Sequence, residues 1–209
     1  MGTPEFAVPS LKILINKDFN IIGVITATDK KSGRGRKITS SPIKKIAESN
    51  NITLFQPKSL KDPNFLNELS SLNPDLFVVV AFRMLPDILI NIPKLGTINL
   101  HSSLLPDYRG AAPINWVIIN GEKETGVTTF FINKKIDEGD VIDSVRVKIN
   151  DGYSAGILHD KLMSVGAKLV LKTVNNIFTN TFSRQKQIIS DKDKLAPKID
   201  KELCKINLK

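Results

Sequence analysis

The chain has 209 residues, a formal net charge of +9 and a single cysteine, Cys204, which excludes an internal disulfide framework and a cysteine-based zinc site. That length suits one domain, or one domain with an appendage, and can bury a sizeable core without covalent staples. No apolar run approaches the roughly 18 residues of a membrane span, and no basic segment followed by an apolar one opens the chain as in a signal peptide, so the expected compartment is the cytoplasm.

Thr3-Pro4-Glu5 predicts a helix start, with an apolar stripe from Phe6 to Ile15. Residues 20–26 read as a buried strand. Thr28 to Ser41 is a basic, glycine-punctuated loop containing Gly33-Arg34-Gly35-Arg36-Lys37. Its cations suit a phosphate chain, although a solvated loop has the same composition. Ser41-Pro42 starts a helix running to about Asn50, Thr53-Leu54-Phe55 is a short strand, and Asp62-Pro63 opens another helix. Asp75 to Ala81 is continuously apolar after its first residue, as in a central parallel strand covered on both faces. Pro86 starts a short helix to about Ile90.

Thr97 to Leu100 is a strand ending in a polar cluster and a Pro/Gly-rich loop, and Ala112 to Asn120 is a helix. Strands over 126–132 and 140–147 are joined by seven residues, so the sheet is expected to turn antiparallel or mixed here. Tyr153 to about Phe178 is a long helix, with Ile157, Leu158, Leu162, Val165, Leu169, Val170 and Val174 at helical spacing. The last thirty or so residues are polar and show no periodicity. Alternating strands and helices predict an α/β fold with a doubly wound, mostly parallel, Rossmann-like sheet and helices on both faces. The glycine signatures of dinucleotide and P-loop sites are absent from the sequence.

Asn99 and His101 lie two residues apart at a strand end, so both side chains share one face. An amide donor beside an imidazole can serve a carbonyl oxygen that becomes an oxyanion. Polar groups at a strand end can equally cap the following loop.

The stretch Asn99-Leu100-His101-Ser102-Ser103-Leu104-Leu105-Pro106 resembles the signature of the 10-formyltetrahydrofolate-dependent formyltransferases. The likeness continues through Tyr108-Arg109-Gly110-Ala111-Ala112-Pro113 and Ile136-Asp137-Glu138-Gly139-Asp140. Within that superfamily, Gly2-Thr3-Pro4-Glu5-Phe6-Ala7, the Gly33 to Lys37 loop followed by Ser41-Pro42-Ile43-Lys44, and Arg109-Gly110-Ala111-Ala112-Pro113 are most similar to the methionyl-tRNA formyltransferases. The resemblance implies a formyl transfer from 10-formyltetrahydrofolate, a co-substrate, to the α-amine of initiator methionyl-tRNA, with no metal. It implies Asn99 and protonated His101 as oxyanion donors and Asp137 as the group that orients His101 and helps remove the amine proton. Ser103, Leu104, Leu105 and Pro106, with Phe82, Arg83, Met84 and Leu85, would line the folate pocket, while Arg34, Arg36 and Lys37 would reach the tRNA. A monomer is expected, and His159 is expected to have a surface or packing role on its helix rather than to act.

The same resemblance implies a strand ahead of Gly2, which this sequence does not carry. It divides the chain into a catalytic domain over 1–185 and a tail over 186–209, where Lys194 to Asp200 resembles the linker to a tRNA-binding domain. Two alternatives stay open: formyl transfer to a small amine such as a ribonucleotide or sugar nucleotide, and an inactive folate-binding remnant.

Overall fold

The computed structural model describes residues 1–32 and 37–205, with residues 31, 32, 37 and 38 described by backbone alone. A 3-10 turn at Glu5–Ala7 leads into α1 (Val8–Ile15). Thr3 does not cap it; its hydroxyl accepts from Ala27 N at 3.3 Å. β1 covers only Val24–Ile25, shorter than the expected 20–26. β2 (Lys30–Ser32) and β3 (Lys37–Thr39) pair antiparallel, so the basic loop has hairpin arms.

Two of the expected helix caps form. Ser41 Oγ accepts from Lys44 N at the start of α2 (Pro42–Ser49). β4 (Leu54–Phe55) follows and pairs parallel with β1. Asp62 accepts from Asn64 N and Phe65 N to cap α3 (Pro63–Ser71). Each cap satisfies backbone N–H groups that the first helical turn leaves unpaired, and proline at the first helical position needs none.

Then come β5 (Phe77–Val80), α4 (Asp87–Ile90), β6 (Thr97–His101), α5 (Pro113–Ile119), β7 (Glu124–Phe131), β8 (Val141–Lys148) and α6 (Ala155–Phe178). The sheet order is β5-β6-β7-β8. β5 and β6 are parallel, and the two later pairings are antiparallel. The sheet is therefore mixed, as the short 132–140 connection predicted.

Helices cover both faces, and the period of two along β5 sorts its side chains between them. Phe77 and Val79 join a cluster with Phe65, Leu66 and Leu69 of α3 and Leu89 and Ile90 of α4. Val78 and Val80 pack into the larger cluster, which holds Ile98, Leu100, Leu158, Leu162, Leu169 and Val170. Ile157 is half exposed, and Leu158 takes the inward position instead. At Gly166 a Cβ would lie 2.7 Å from Leu100 Cδ2, so α6 packs closely on β6 there and a side chain at 166 would require Leu100 to shift.

Between β1 and β5 lie just two residues. Gly2 N donates to Ile25 O at 3.1 Å, while Val80 N donates to Met1 O at 2.9 Å. The Met1 amino group donates to Val78 O at 2.7 Å. Beyond Met1 is a cavity of about 140 Å³ lined by Leu14, Ile22, Leu76 and Val78 among others. β1 is as short as its parallel partner β4, with Val24 opposite Leu54 and Ile25 opposite Phe55.

Candidate active site

The cleft at the carboxyl ends of β5 and β6 has a volume of about 710 Å³. Carboxyl ends of strands at a change in sheet direction are where open α/β sheets hold ligands. Asn99 and His101 both line the cleft, as alternation along β6 requires. Asn99 is partly exposed, whereas His101 is buried. His101 Nε2 sits 2.8 Å from Tyr108 O. A carbonyl can only accept, so Nε2 carries a hydrogen and Nδ1 is the variable position. The carbonyl is presented by a left-handed turn, with φ +60° at Tyr108. Burial and the Glu122 carboxylate, which accepts from its hydroxyl, push the Tyr108 phenol up from its ordinary pKa.

Asp137 arrives from the β7–β8 connection. Its Oδ2 lies 3.7 Å from His101 Nδ1 and accepts from Gly110 N at 2.9 Å. Residue 137 is left-handed, φ +54°, a conformation aspartate tolerates better than most side chains. Two residues on, a Cβ on Gly139 would lie 1.6 Å from Phe131 O, so the connection folds back this tightly only because residue 139 is glycine. The carboxylate thus faces the one ring nitrogen that Tyr108 leaves free.

Phe82, Arg83, Met84 and Leu85 line the same cleft. Arg83 is tied at the rim, donating to Pro57 O at 2.7 Å and Lys58 O at 3.3 Å. Ser103, Leu104, Leu105 and Pro106 are not among its lining residues. That segment folds back onto β7 instead. Ser103 Oγ donates to Asp107 O at 2.6 Å, Thr128 Oγ1 donates to Ser103 O at 2.7 Å, and Leu105 N donates to Thr128 Oγ1 at 3.2 Å. Leu104 fills the space where Gly126 has no side chain. Arg34 and Arg36 lie outside the described residues, and Lys37 is described by its backbone, in β3. His159, unassigned from the sequence, also borders the cleft, its ring 5.3 Å from Phe6 and its Nδ1 2.9 Å from Asp160 Oδ1.

Sequence reasoning missed the segment over 185–197. Gln185 and Val141 exchange backbone hydrogen bonds of 2.8 Å each. Asp193 pairs with Arg109 at 3.2 Å, and Arg109 also lies 3.5 Å from Glu138. Tyr108 N donates to Lys194 O, Ala196 N donates to Arg109 O at 2.8 Å, and Ala112 N donates to Ala196 O at 3.1 Å. Trp116 Nε1 donates to Pro197 O at 2.8 Å. The segment therefore fastens the loop after β6 and the β7–β8 connection together. Among the described residues, no group of three or more His, Cys, Asp or Glu side chains could hold a metal ion, and no helix is long and apolar enough to cross a membrane.

The family described as Formyl transferase matches residues 1–174. This chain belongs to the formyl transferase family. Its relatives include a methionyl-tRNA formyltransferase of Azobacteroides pseudotrichonymphae, 54% identical over 99% of this chain and 65% of the relative. A methionyl-tRNA formyltransferase of Bacteroides thetaiotaomicron is 51% identical over the same shares. The chain thus spans about two thirds of the length of these curated relatives. Among solved structures, the N-formyltransferase of Helicobacter canadensis, in complex with folinic acid and dTDP-3-aminofucose, superposes with a TM-score of 0.74 at 26% identity, covering 100% of this chain and 72% of that one. The formyl transferase fold accounts for the mixed sheet and for the placement of the cleft at its carboxyl edge.

Proposed function

We propose that this formyl transferase moves the formyl group of 10-formyltetrahydrofolate to the α-amine of methionyl-tRNA. The observation that carries formyl transfer is the approach of the Asp137 carboxylate to His101 Nδ1, with Asn99 on the same strand face. The name shared by relatives about 50% identical over 99% of this chain supports methionyl-tRNA as the acceptor.

The chemistry follows from the groups. The amine attacks the formyl carbon and forms a C–N bond, and the carbonyl oxygen becomes an oxyanion. The Asn99 amide and a proton on His101 Nδ1 donate to that oxygen, in a cleft where donors need not reorganise. Asp137 holds the imidazole and, directly or through water, takes the proton the amine sheds. Collapse breaks the bond from the formyl carbon to N10 of the folate, and N10 receives a proton. Atoms and charge balance without metal or redox chemistry. Phe82 to Leu85 would supply an apolar and cationic wall for the folate. Arg34, Arg36 and Lys37 would meet the phosphates of the acceptor end, and the protein would work as a cytoplasmic monomer.

The test is formation of formyl-methionyl-tRNA from both substrates with the chain as given, alongside an amino-sugar nucleotide as competing acceptor. Turnover on methionyl-tRNA is expected. Transfer to the sugar nucleotide alone would overturn the acceptor, and transfer to neither would overturn the activity. Arg34→Ala is expected to raise the KM for methionyl-tRNA about tenfold, by loss of a phosphate contact, and to leave the KM for the folate unchanged. Equal loss for both substrates would remove Arg34 from the tRNA surface.

A further inference from the structure

We infer that Gln187 is a positioning residue for Asp137, acting through the backbone of the β7–β8 connection; this rests on the catalytic reading of Asp137 above. Gln187 is 9% exposed, and its Nε2 donates to Asp137 O at 2.9 Å and Gly139 O at 2.7 Å. The two hydrogens of one amide group thus converge on carbonyls two residues apart.

Those carbonyls flank the part of the connection whose shape matters most. Residue 137 is left-handed, and residue 139 has no room for a side chain against Phe131 O. Fixing the carbonyls on either side of Glu138 fixes the direction in which the Asp137 carboxylate leaves the backbone. That carboxylate must lie against both Gly110 N and His101 Nδ1.

The remaining polar atom, Gln187 Oε1, is buried and has no hydrogen-bond partner among the described residues. A buried acceptor without a partner is unfavourable. The side chain is therefore kept for its donors, which an apolar residue of similar size cannot supply. Gln187 is itself held in register by the Gln185–Val141 backbone pair two residues earlier.

The test compares Gln187→Leu with the unaltered chain in formyl transfer to methionyl-tRNA. Because misplacing a reacting group by about 1 Å can cost about 10²-fold, kcat is expected to fall roughly 10- to 100-fold, with the KM for 10-formyltetrahydrofolate within about twofold. In an Asp137→Asn background, Gln187→Leu is expected to lower kcat less than twofold further, since it acts through a group already lost. A purely structural role would instead lower thermal stability and multiply the two losses. Unchanged kcat in a folded Gln187→Leu chain, or multiplied losses, would overturn the inference. If the leucine variant does not fold, Gln187→Met, closer in shape, carries the same comparison, and failure of both to fold would make Gln187 a folding residue and overturn it too. An inactive unaltered chain would count against the proposed function instead.

Discussion

Asn99→Ala and His101→Ala are each expected to lower kcat for formyl transfer by about 10²–10³-fold or more, because on the proposed mechanism each removes one donor to the developing oxyanion. The two losses differ in character. Asn99 is partly exposed on the cleft face of β6, so truncation removes one donor and leaves water space. His101 is buried, its Nε2 is hydrogen-bonded to Tyr108 O at 2.8 Å, and its Nδ1 lies 3.7 Å from the Asp137 carboxylate. Its removal strands a carboxylate and a carbonyl together, so His101→Ala is expected to be the worse of the two and to cost stability as well. Single-turnover rates with both substrates saturating, checked against melting curves, separate the two effects. Near-normal turnover in either variant would remove that residue from the chemistry.

The second large effect concerns stability. Burial of the amino group of Met1, between β1 and β5, pushes its pKa down from 8.0 to about 5. The folded state therefore holds fewer protons than the unfolded state between those values, and stability rises with pH across that window. At about 1.4 kcal/mol per pH unit the full difference is roughly 4 kcal/mol. For a domain of this size that is roughly 8 to 16 °C in melting temperature. A chain with a free amine at Met1 is expected to be least stable, by this contribution, below about pH 5 and to recover fully above about pH 8. An Nα-acetylated chain keeps an N–H for Val78 O but has no charge to desolvate, so its melting temperature should lack this component. The difference between the two forms isolates the amine from every other titrating group. Parallel melting curves from pH 5 to 8 would contradict the assignment. A short apolar extension before Met1 is expected to act in the same direction and also fill the 140 Å³ cavity beyond it.

Much of this was legible in the sequence because it rests on local rules. Ser41 and Asp62 cap where Ser-Pro and Asp-Pro predict. The continuous apolar run ending at Val80 divides between two cores because alternate residues face opposite sides. Asn99 and His101 share a face for the same reason. What depends on remote partners was not legible. Residues 20–26 look like a strand throughout, but only Val24 and Ile25 form one, since pairing requires neighbours that apolar content does not guarantee. Hydrogen bonds with Thr128 tie the Ser103 to Pro106 segment to β7, a contact between remote residues that sequence spacing does not show. The 185–197 segment escaped notice because most of its bonds involve backbone groups, leaving no periodicity to read. Gln187 lies in a polar run, and nothing there marks it as buried.

The contact between His101 Nε2 and Tyr108 O has a further consequence. An imidazole that passes protons along a chain takes one at one nitrogen and releases another at the opposite nitrogen. Here the far nitrogen is committed to a carbonyl that cannot accept a proton, so the ring has a single port. A proton taken up at Nδ1 leaves from Nδ1, into the space shared with Asp137. On the proposed mechanism the oxyanion and the Asp137 carboxylate, which takes the amine proton, therefore share that one edge of the ring, and the reacting groups must stay within reach of it throughout.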